Sequence, residues 1–165
     1  MNSELAWMSF LIIPVRSLCI MKKEYPEKMT LSEVWPHFEA GGLLHLATSD
    51  GNQPRVRMVA FTVFDQKLWI VTRTGDDKID QIRKNSNAEF TLAVQGKERT
   101  GCLRATADAI IVEDPDIRKD VASAIPWFTN YWESAEDPNF TLIRLDLKQI
   151  LFDHHETPSK YTIEL

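Results

Sequence analysis

Cysteine is scarce in this sequence, and no hydrophobic run is long enough to cross a membrane. Among the 165 residues only Cys19 and Cys102 are cysteines, and they form no CxxC pair. A disulfide framework and a zinc knuckle are therefore excluded, and two reduced thiols in a cytoplasmic protein are expected. The apolar run Ala6–Val15 is far shorter than the roughly 20 residues that a membrane helix needs. It also lacks the preceding positive charge of a secretion signal, since only Glu4 carries a charge before it.

Residues 1–20 carry no recognisable chemistry. They are either an N-terminal extension packed on the domain or an over-called start, with the true initiation at Met21, before Lys22 and Lys23. The chain as a whole is 44% hydrophobic and 26% charged, which is ordinary for a globular protein with a real core. We therefore expect one domain over residues 21–165.

Positive charge is in deficit. Nineteen Lys and Arg residues against 24 Asp and Glu residues leave a formal charge of −5 and a pI near 5.4. Nucleic acid and anionic membranes are therefore not expected as partners. The GxGxxG, GxxxxGK, GxSxG and HExxH motifs are also missing. Any phosphate site must be formed by a few well-placed residues.

Hydrophobic periodicity and turn residues predict a mainly β protein with peripheral helices. Helices are predicted from Leu31 to Phe38, from Asp76 to Asn85, and in an aromatic-rich insert from Asp114 to about Ser134 with a break at Pro126. Consecutive hairpins favour an antiparallel barrel over a parallel sheet. The predicted strands are Leu43–Thr48, Pro54–Phe64, Lys67–Thr72, Ala88–Val94, Gly101–Val112, Phe140–Asp146 and Gln149–Asp153.

Histidines offer a weak case for a metal. The most metal-like group is Asp153-His154-His155-Glu156, but neighbouring histidines on a strand point to opposite faces. No metal site is therefore predicted. His37 and His45 stand alone in apolar settings and are expected to be core or interface residues.

A better candidate for a ligand site lies on the second and third strands and the helix after them. Arg57 stands among Val59 and Phe61, where an unpaired guanidinium is costly to bury. The third strand ends in a hydroxyl-rich turn, Val71–Gly75, which leads into a helix start carrying Lys78. Such a turn and helix start can bind an anion. Equally, these cations can simply pair with carboxylates. The available carboxylates are Asp76, Asp77 and Glu89.

Two stretches resemble a known family. QPRVRMVAF (Gln53–Phe61) and LWIVTRTGDDKIDQIRKN (Leu68–Asn85) are similar to the pyridoxamine 5′-phosphate oxidase-like, FMN-binding split-barrel superfamily, closest to its general stress protein branch. The resemblance extends over roughly Leu31–Asp153. It implies an antiparallel Greek-key split barrel, and a homodimer with two FMN molecules in grooves between the subunits.

The resemblance also assigns cofactor roles to individual residues. It implies that Arg57 and Lys78 contact the FMN phosphate and that the backbone at Met58 and Val59 lies beside the flavin ring. The other cofactor-binding residues that we expect are Val71, Thr72 and Thr74. No side chain is singled out as a catalytic acid or base.

Several positions depart from the family pattern. Asp76 and Asp77 in the helix start are expected to repel a phosphate dianion, so Asp77→Ser should strengthen FMN binding. Thr62 stands where the oxidase has a lysine, and Thr100 or Gly101 where it has a flavin-contacting glutamine. The oxidase's C-terminal arginine motif is absent, so oxidation of pyridoxine phosphate is not expected.

These features predict an FMN-dependent oxidoreductase acting on a small molecule. The alternatives are a non-catalytic flavin-binding or stress protein, and a split-barrel dimer that uses deazaflavin, haem or no cofactor. Trp127 and Trp132 either border the flavin ring or fill the barrel or the dimer seam.

Overall fold

A computed structural model of the protein describes residues 28–165. The predictions for residues 1–20, including Cys19, and for a start at Met21 concern residues outside this part of the chain. The strands are β1 (Gly42–Asp50), β2 (Gln53–Phe64), β3 (Lys67–Arg73), β4 (Asn87–Gln95), β5 (Thr100–Val112), β6 (Phe140–Asp153) and β7 (Lys160–Glu164). The helices are α1 (Leu31–Val34), α2 (Pro36–Glu39), α3 (Asp77–Lys84) and α4 (Pro115–Ser123), with a 3₁₀ turn at Phe128–Asn130.

The strands form one antiparallel sheet that closes on itself. Their order is β3-β2-β1-β4-β5-β6-β7, and β3 also pairs with β6, so that six strands form a barrel and β7 extends it. The predicted mainly β, antiparallel barrel with peripheral helices is confirmed. No helix within residues 28–165 is long and apolar enough to span a membrane.

The barrel is split between β2 and β3. These strands pair only where Phe61–Phe64 meets Lys67–Ile70, around a tight turn in which Asp65 and Gln66 both adopt left-handed backbone angles. Beyond this pairing, β3 continues along β6, whereas residues 53–60 of β2 have β1 on one side and no described strand on the other. Main-chain groups on that free edge of β2 are therefore open to a ligand.

Proline divides the first predicted helix in two. Glu33 accepts a hydrogen bond from the backbone N–H of Thr30 at 2.8 Å, as the capping-box spacing predicts. Pro36 then begins α2 because it cannot donate to the preceding turn, and α1 ends at Val34.

The insert is less helical than predicted. After α4, whose N-terminus is capped by the carboxylate of Asp114, only the short 3₁₀ turn at Phe128–Asn130 is helical. Pro126 and the aromatic residues that follow it favour packing over a continuous helix.

The C-terminal region also differs from the prediction. We predicted two strands after the insert, but β6 is one continuous strand. The apparent break at Lys148 is a bulge, because Thr106 pairs with Gln149 while Ala107 pairs with Leu147. The strand β7 was not predicted, and its alternating buried and exposed residues place Tyr161 inside.

Two apolar clusters hold the fold together. The larger fills the barrel and includes Phe38, Phe90 and Phe152. The smaller packs the insert against the outer side of β3 and β6, with Phe128 and Trp132 in contact with Phe140. Trp132 is thus a packing residue at the edge of the split.

Candidate functional site

Arg57 lies at the polar end of the split, in a network contributed by β1, β2 and α3. Its guanidinium donates hydrogen bonds to Thr48 Oγ1 at 2.5 Å and to Gln81 Oε1 at 2.8 Å. Thr48 in turn donates to the same Gln81 oxygen at 2.6 Å. Burial lowers the pKa of Arg57, and the nearby Asp77 and Asp76 act in the opposite direction.

No carboxylate of the described residues forms a salt bridge with Arg57. Glu89, one candidate partner, is paired with Arg104 at 3.1 Å instead. The ion-pair interpretation therefore does not apply to Arg57. Its guanidinium is fixed by neutral acceptors and keeps its full positive charge available to an anion.

Lys78 is in a different situation. It is only 7% exposed, and its ammonium group donates to Thr72 Oγ1 at 2.8 Å and to Asp76 Oδ2 at 2.5 Å. Thr72 also donates to Asp76 Oδ2, at 2.6 Å. Partial burial opposes the ionisation of Asp76, but hydrogen bonds from Lys78 and Thr72 outweigh it and lower the carboxyl pKa. The ion-pair interpretation therefore applies to Lys78, whose partner is Asp76.

The other predicted cofactor residues differ in burial and in their position relative to the split. Val59 is buried in the barrel core, whereas Met58 is 60% exposed on the outer face of β2. Val71 is buried but borders a cavity beside the split. Thr74 directs its hydroxyl elsewhere, to Pro138 O at 2.8 Å and to Thr141 Oγ1 at 2.9 Å.

A polar cleft of about 660 Å³ opens beside Arg57. It has balanced charge, because three acidic and three basic side chains line it together with Gln81. Its lining residues are Asp50, Pro54, Arg55, Val56, Arg57, Asp77, Asp80, Gln81 and Lys84. The cleft suits a charged, hydrated group that contacts Arg57.

An aromatic cavity of about 460 Å³ lies at the other end of the free β2 edge. Trp127 and Tyr131 meet edge to face, with ring centroids 5.8 Å apart. Among the described residues that line this cavity, Tyr131 alone has an ionisable side chain. The lining residues are Gly42, Leu43, Ala60, Phe61, Val71, Trp127, Asn130, Tyr131 and Trp132. Such walls suit a flat, apolar ring.

The two ends lie three positions apart along β2. Arg57 marks the polar cleft and Ala60 the aromatic cavity, so the strand rise places them about 10 Å apart. The free main-chain edge of β2 connects them.

Sequence reasoning missed Thr48, Gln81 and Asn130. A signal exists only for Gln81, which stands three residues after Lys78 and so shares the inward face of α3 with it. Thr48 and Asn130 become neighbours of the site only through strand pairing and packing of the insert.

His154 and His155 do not lie as predicted. β6 ends at Asp153, so His154 and His155 are outside the strand, and their rings stack 4.7 Å apart. The argument from opposite strand faces is therefore wrong. His37 contacts the His155 ring edge to face at 5.2 Å, whereas His45 is exposed on β1 beside Met58. Among residues 28–165 no three ligand-type side chains are grouped to hold a metal ion.

The described residues thus form a split antiparallel barrel with a two-ended groove, in which the polar cleft and the aromatic cavity lie along the free edge of β2. The family model for pyridoxamine 5′-phosphate oxidase matches residues 37–153, so the chain belongs to that family. No curated protein matches the chain.

Solved structures share the fold at low sequence identity. General stress protein 26 from Bacillus anthracis superposes with a TM-score of 0.56 at 21% identity, covering 68% of this chain and 84% of that protein. An FAD-binding protein from Mesorhizobium loti gives 0.61 at 17% identity, covering 74% and 90%. A haem-binding protein from Mycobacterium smegmatis gives 0.63 at 11% identity, covering 74% and 52%.

Proposed function

We propose that this protein binds FMN in the split between β2 and β3 and acts as a flavin-dependent oxidoreductase on a small molecule in the cytoplasm. The observation that carries the proposal is the two-ended groove. A cation free of carboxylate partners lies at one end and an aromatic cavity at the other, joined by an unpaired strand edge. FMN has the matching arrangement of a phosphate, a flexible polyol chain and a flat three-ring system.

Each part of the groove has a distinct task in this proposal. Arg57 holds the phosphate, assisted by Lys78 and Thr72, and the main chain from Met58 to Ala60 hydrogen-bonds the ring edge. The aromatic walls exclude water and orient the ring. The bound flavin supplies the electron-transfer chemistry, and the chain supplies binding and orientation.

We also propose that the working form is a homodimer. The outer faces of β1 and β2 expose a contiguous apolar patch in which Leu43, Val56 and Met58 are 57%, 66% and 60% exposed. Strand pairing sets Leu43 beside Ala60 and His45 beside Met58, so this patch lies directly next to the groove. A contiguous exposed apolar patch is typical of an interface, and a second copy covering it would close the groove.

A visible absorption spectrum of the purified protein, followed by titration with FMN, tests the cofactor. We expect flavin uptake that weakens about tenfold or more in Lys78→Ala and Arg57→Ala, because each removes a cation from the phosphate. Arg83→Ala is the matched control, since Arg83 is an exposed cation of the same helix, paired with Asp80.

The remaining outcomes separate the alternatives. Oxidation of reduced nicotinamide with an added acceptor distinguishes an enzyme from a flavin-binding protein without turnover. A haem or deazaflavin spectrum would replace FMN with that cofactor. If the purified protein contains no flavin and also takes up none during the FMN titration, the flavin proposal is rejected.

A further inference from the structure

One carboxylate oxygen already occupies two of the donors that a phosphate would use. Asp76 Oδ2 accepts hydrogen bonds from Lys78 Nζ at 2.5 Å and from Thr72 Oγ1 at 2.6 Å. Lys78 is only 7% exposed, so water has little room to replace Asp76 as the partner of its ammonium group. An anion that binds there must displace Asp76 or share the donors with it.

Arg57 and Lys78 are therefore unequal as binding partners for an anion. Arg57 is held by the neutral oxygens of Thr48 and Gln81, and no carboxylate of the described residues forms a salt bridge with it. The charge of Lys78 is cancelled by Asp76 at salt-bridge distance. A phosphate dianion at Lys78 and Thr72 meets the fixed carboxylate of Asp76, whereas an uncharged ligand tail meets no such repulsion.

Asp76 differs in this respect from its neighbour. Asp77 is exposed, lines the polar cleft beside Arg57 and lies outside the Lys78–Thr72–Asp76 hydrogen bonds, so it occupies none of the donors at Lys78 and Thr72. Long-range effects of an exposed charge are screened by water and salt.

We infer that Asp76 is a specificity-determining residue: its carboxylate stands in the anion position at Lys78 and Thr72 and lowers the preference of this groove for a phosphate-bearing flavin over the same flavin without phosphate. This inference rests on the proposed flavin site. It predicts that riboflavin competes effectively with FMN for the natural protein, and that the discrimination returns once the carboxylate is neutralised.

Titrations with FMN and riboflavin test the inference, because these ligands differ only in the phosphate. Asp76→Asn should tighten FMN binding about tenfold and change riboflavin binding less than about threefold. Asn also keeps the helix N-cap preference of Asp at this position, which precedes α3. Asp116→Asn is the matched control, since Asp116 is an exposed aspartate in the first turn of α4 and lines neither cavity, and it should change the FMN-to-riboflavin ratio less than about threefold. Asp76→Ser, another good N-cap, replaces Asp76→Asn if the latter does not fold.

A second measurement is independent of flavin. Inorganic phosphate should raise the melting temperature of Asp76→Asn, and should do so far less for the natural protein and for Asp76→Asn combined with Lys78→Ala. An unchanged FMN-to-riboflavin ratio in Asp76→Asn would overturn the inference and leave flavin binding intact. If no variant binds either flavin, the proposed function fails, and the phosphate result alone decides whether Asp76 blocks the anion position.

Discussion

The Arg57–Thr48–Gln81 network shows how a partly buried charged residue is held at the polar end of a mainly apolar barrel. Each hydrogen bond uses a neutral oxygen, so the guanidinium is satisfied and still charged. Sequence patterning indicated that Arg57 is special because it stands between apolar neighbours. It did not show which oxygens accept its hydrogen bonds, because they come from β1 and α3.

His37 provides a residue-scale prediction of pH dependence. Burial, together with the proximity of His155 and His154, lowers the pKa of His37. The unfolded chain therefore takes up a proton at this residue at a higher pH than the folded chain does. The free energy of unfolding should fall as the pH is lowered from about 7.5 to about 5.5.

Urea unfolding of the natural protein and of His37→Gln measures this effect. The variant should lose part of the fall in stability below about pH 6.5, because Gln does not titrate. Parallel pH profiles for the two proteins would show that His37 contributes nothing to the pH dependence.

At the scale of elements, the contact between β5 and the chain after β6 is unusually close. A Cβ atom on Gly101 would lie 2.4 Å from Asp153 O and 2.7 Å from His155 N, both main-chain atoms. The bulge at Lys148 lies further along the same pair of strands. This pairing brings the stacked histidines next to α2.

Gly101→Ala should lower the free energy of unfolding by roughly 1–3 kcal/mol, because the methyl group forces backbone atoms apart. Gly75→Ala is the matched control, since no atom lies within 4 Å of the Cβ position there and its backbone is not left-handed. Thermal and urea unfolding measure both. Equal stability of the two variants would contradict the close packing of β5 and β6.

The elements also show the limits of pattern reading. The strand boundaries from β1 to β5 follow from alternation and turn residues, and they were predicted to within a few residues. The single β6 was predicted as two strands because a bulged residue interrupts the alternation, and only the pairing with β5 reveals the bulge. The insert has an apolar pattern, but its aromatics pack against β3 and β6 rather than continuing a helix.

At the scale of the whole molecule, the exposed apolar patch on β1 and β2 is the proposed homodimer interface. Met58→Lys should weaken dimerisation about 100-fold or more, because an unpaired charge would be buried between subunits. Ile110→Lys, at an exposed apolar position of β5, is the control and should leave the dimer intact. Sedimentation across a concentration series measures the dissociation constants. A natural protein that is monomeric at every concentration would contradict the proposed dimer.

The sequence by itself determined the barrel class and the short segment from Thr72 to Lys78, because strand alternation, turn residues and a helix start are local properties of the chain. Only the tertiary structure decided what those residues do. It placed Asp76 on Lys78 while leaving Arg57 without a carboxylate, and it brought the aromatic insert to the edge of the split. The physical reason is that charge pairing and cavity walls depend on distances between side chains of separate elements, and local sequence patterns do not contain those distances.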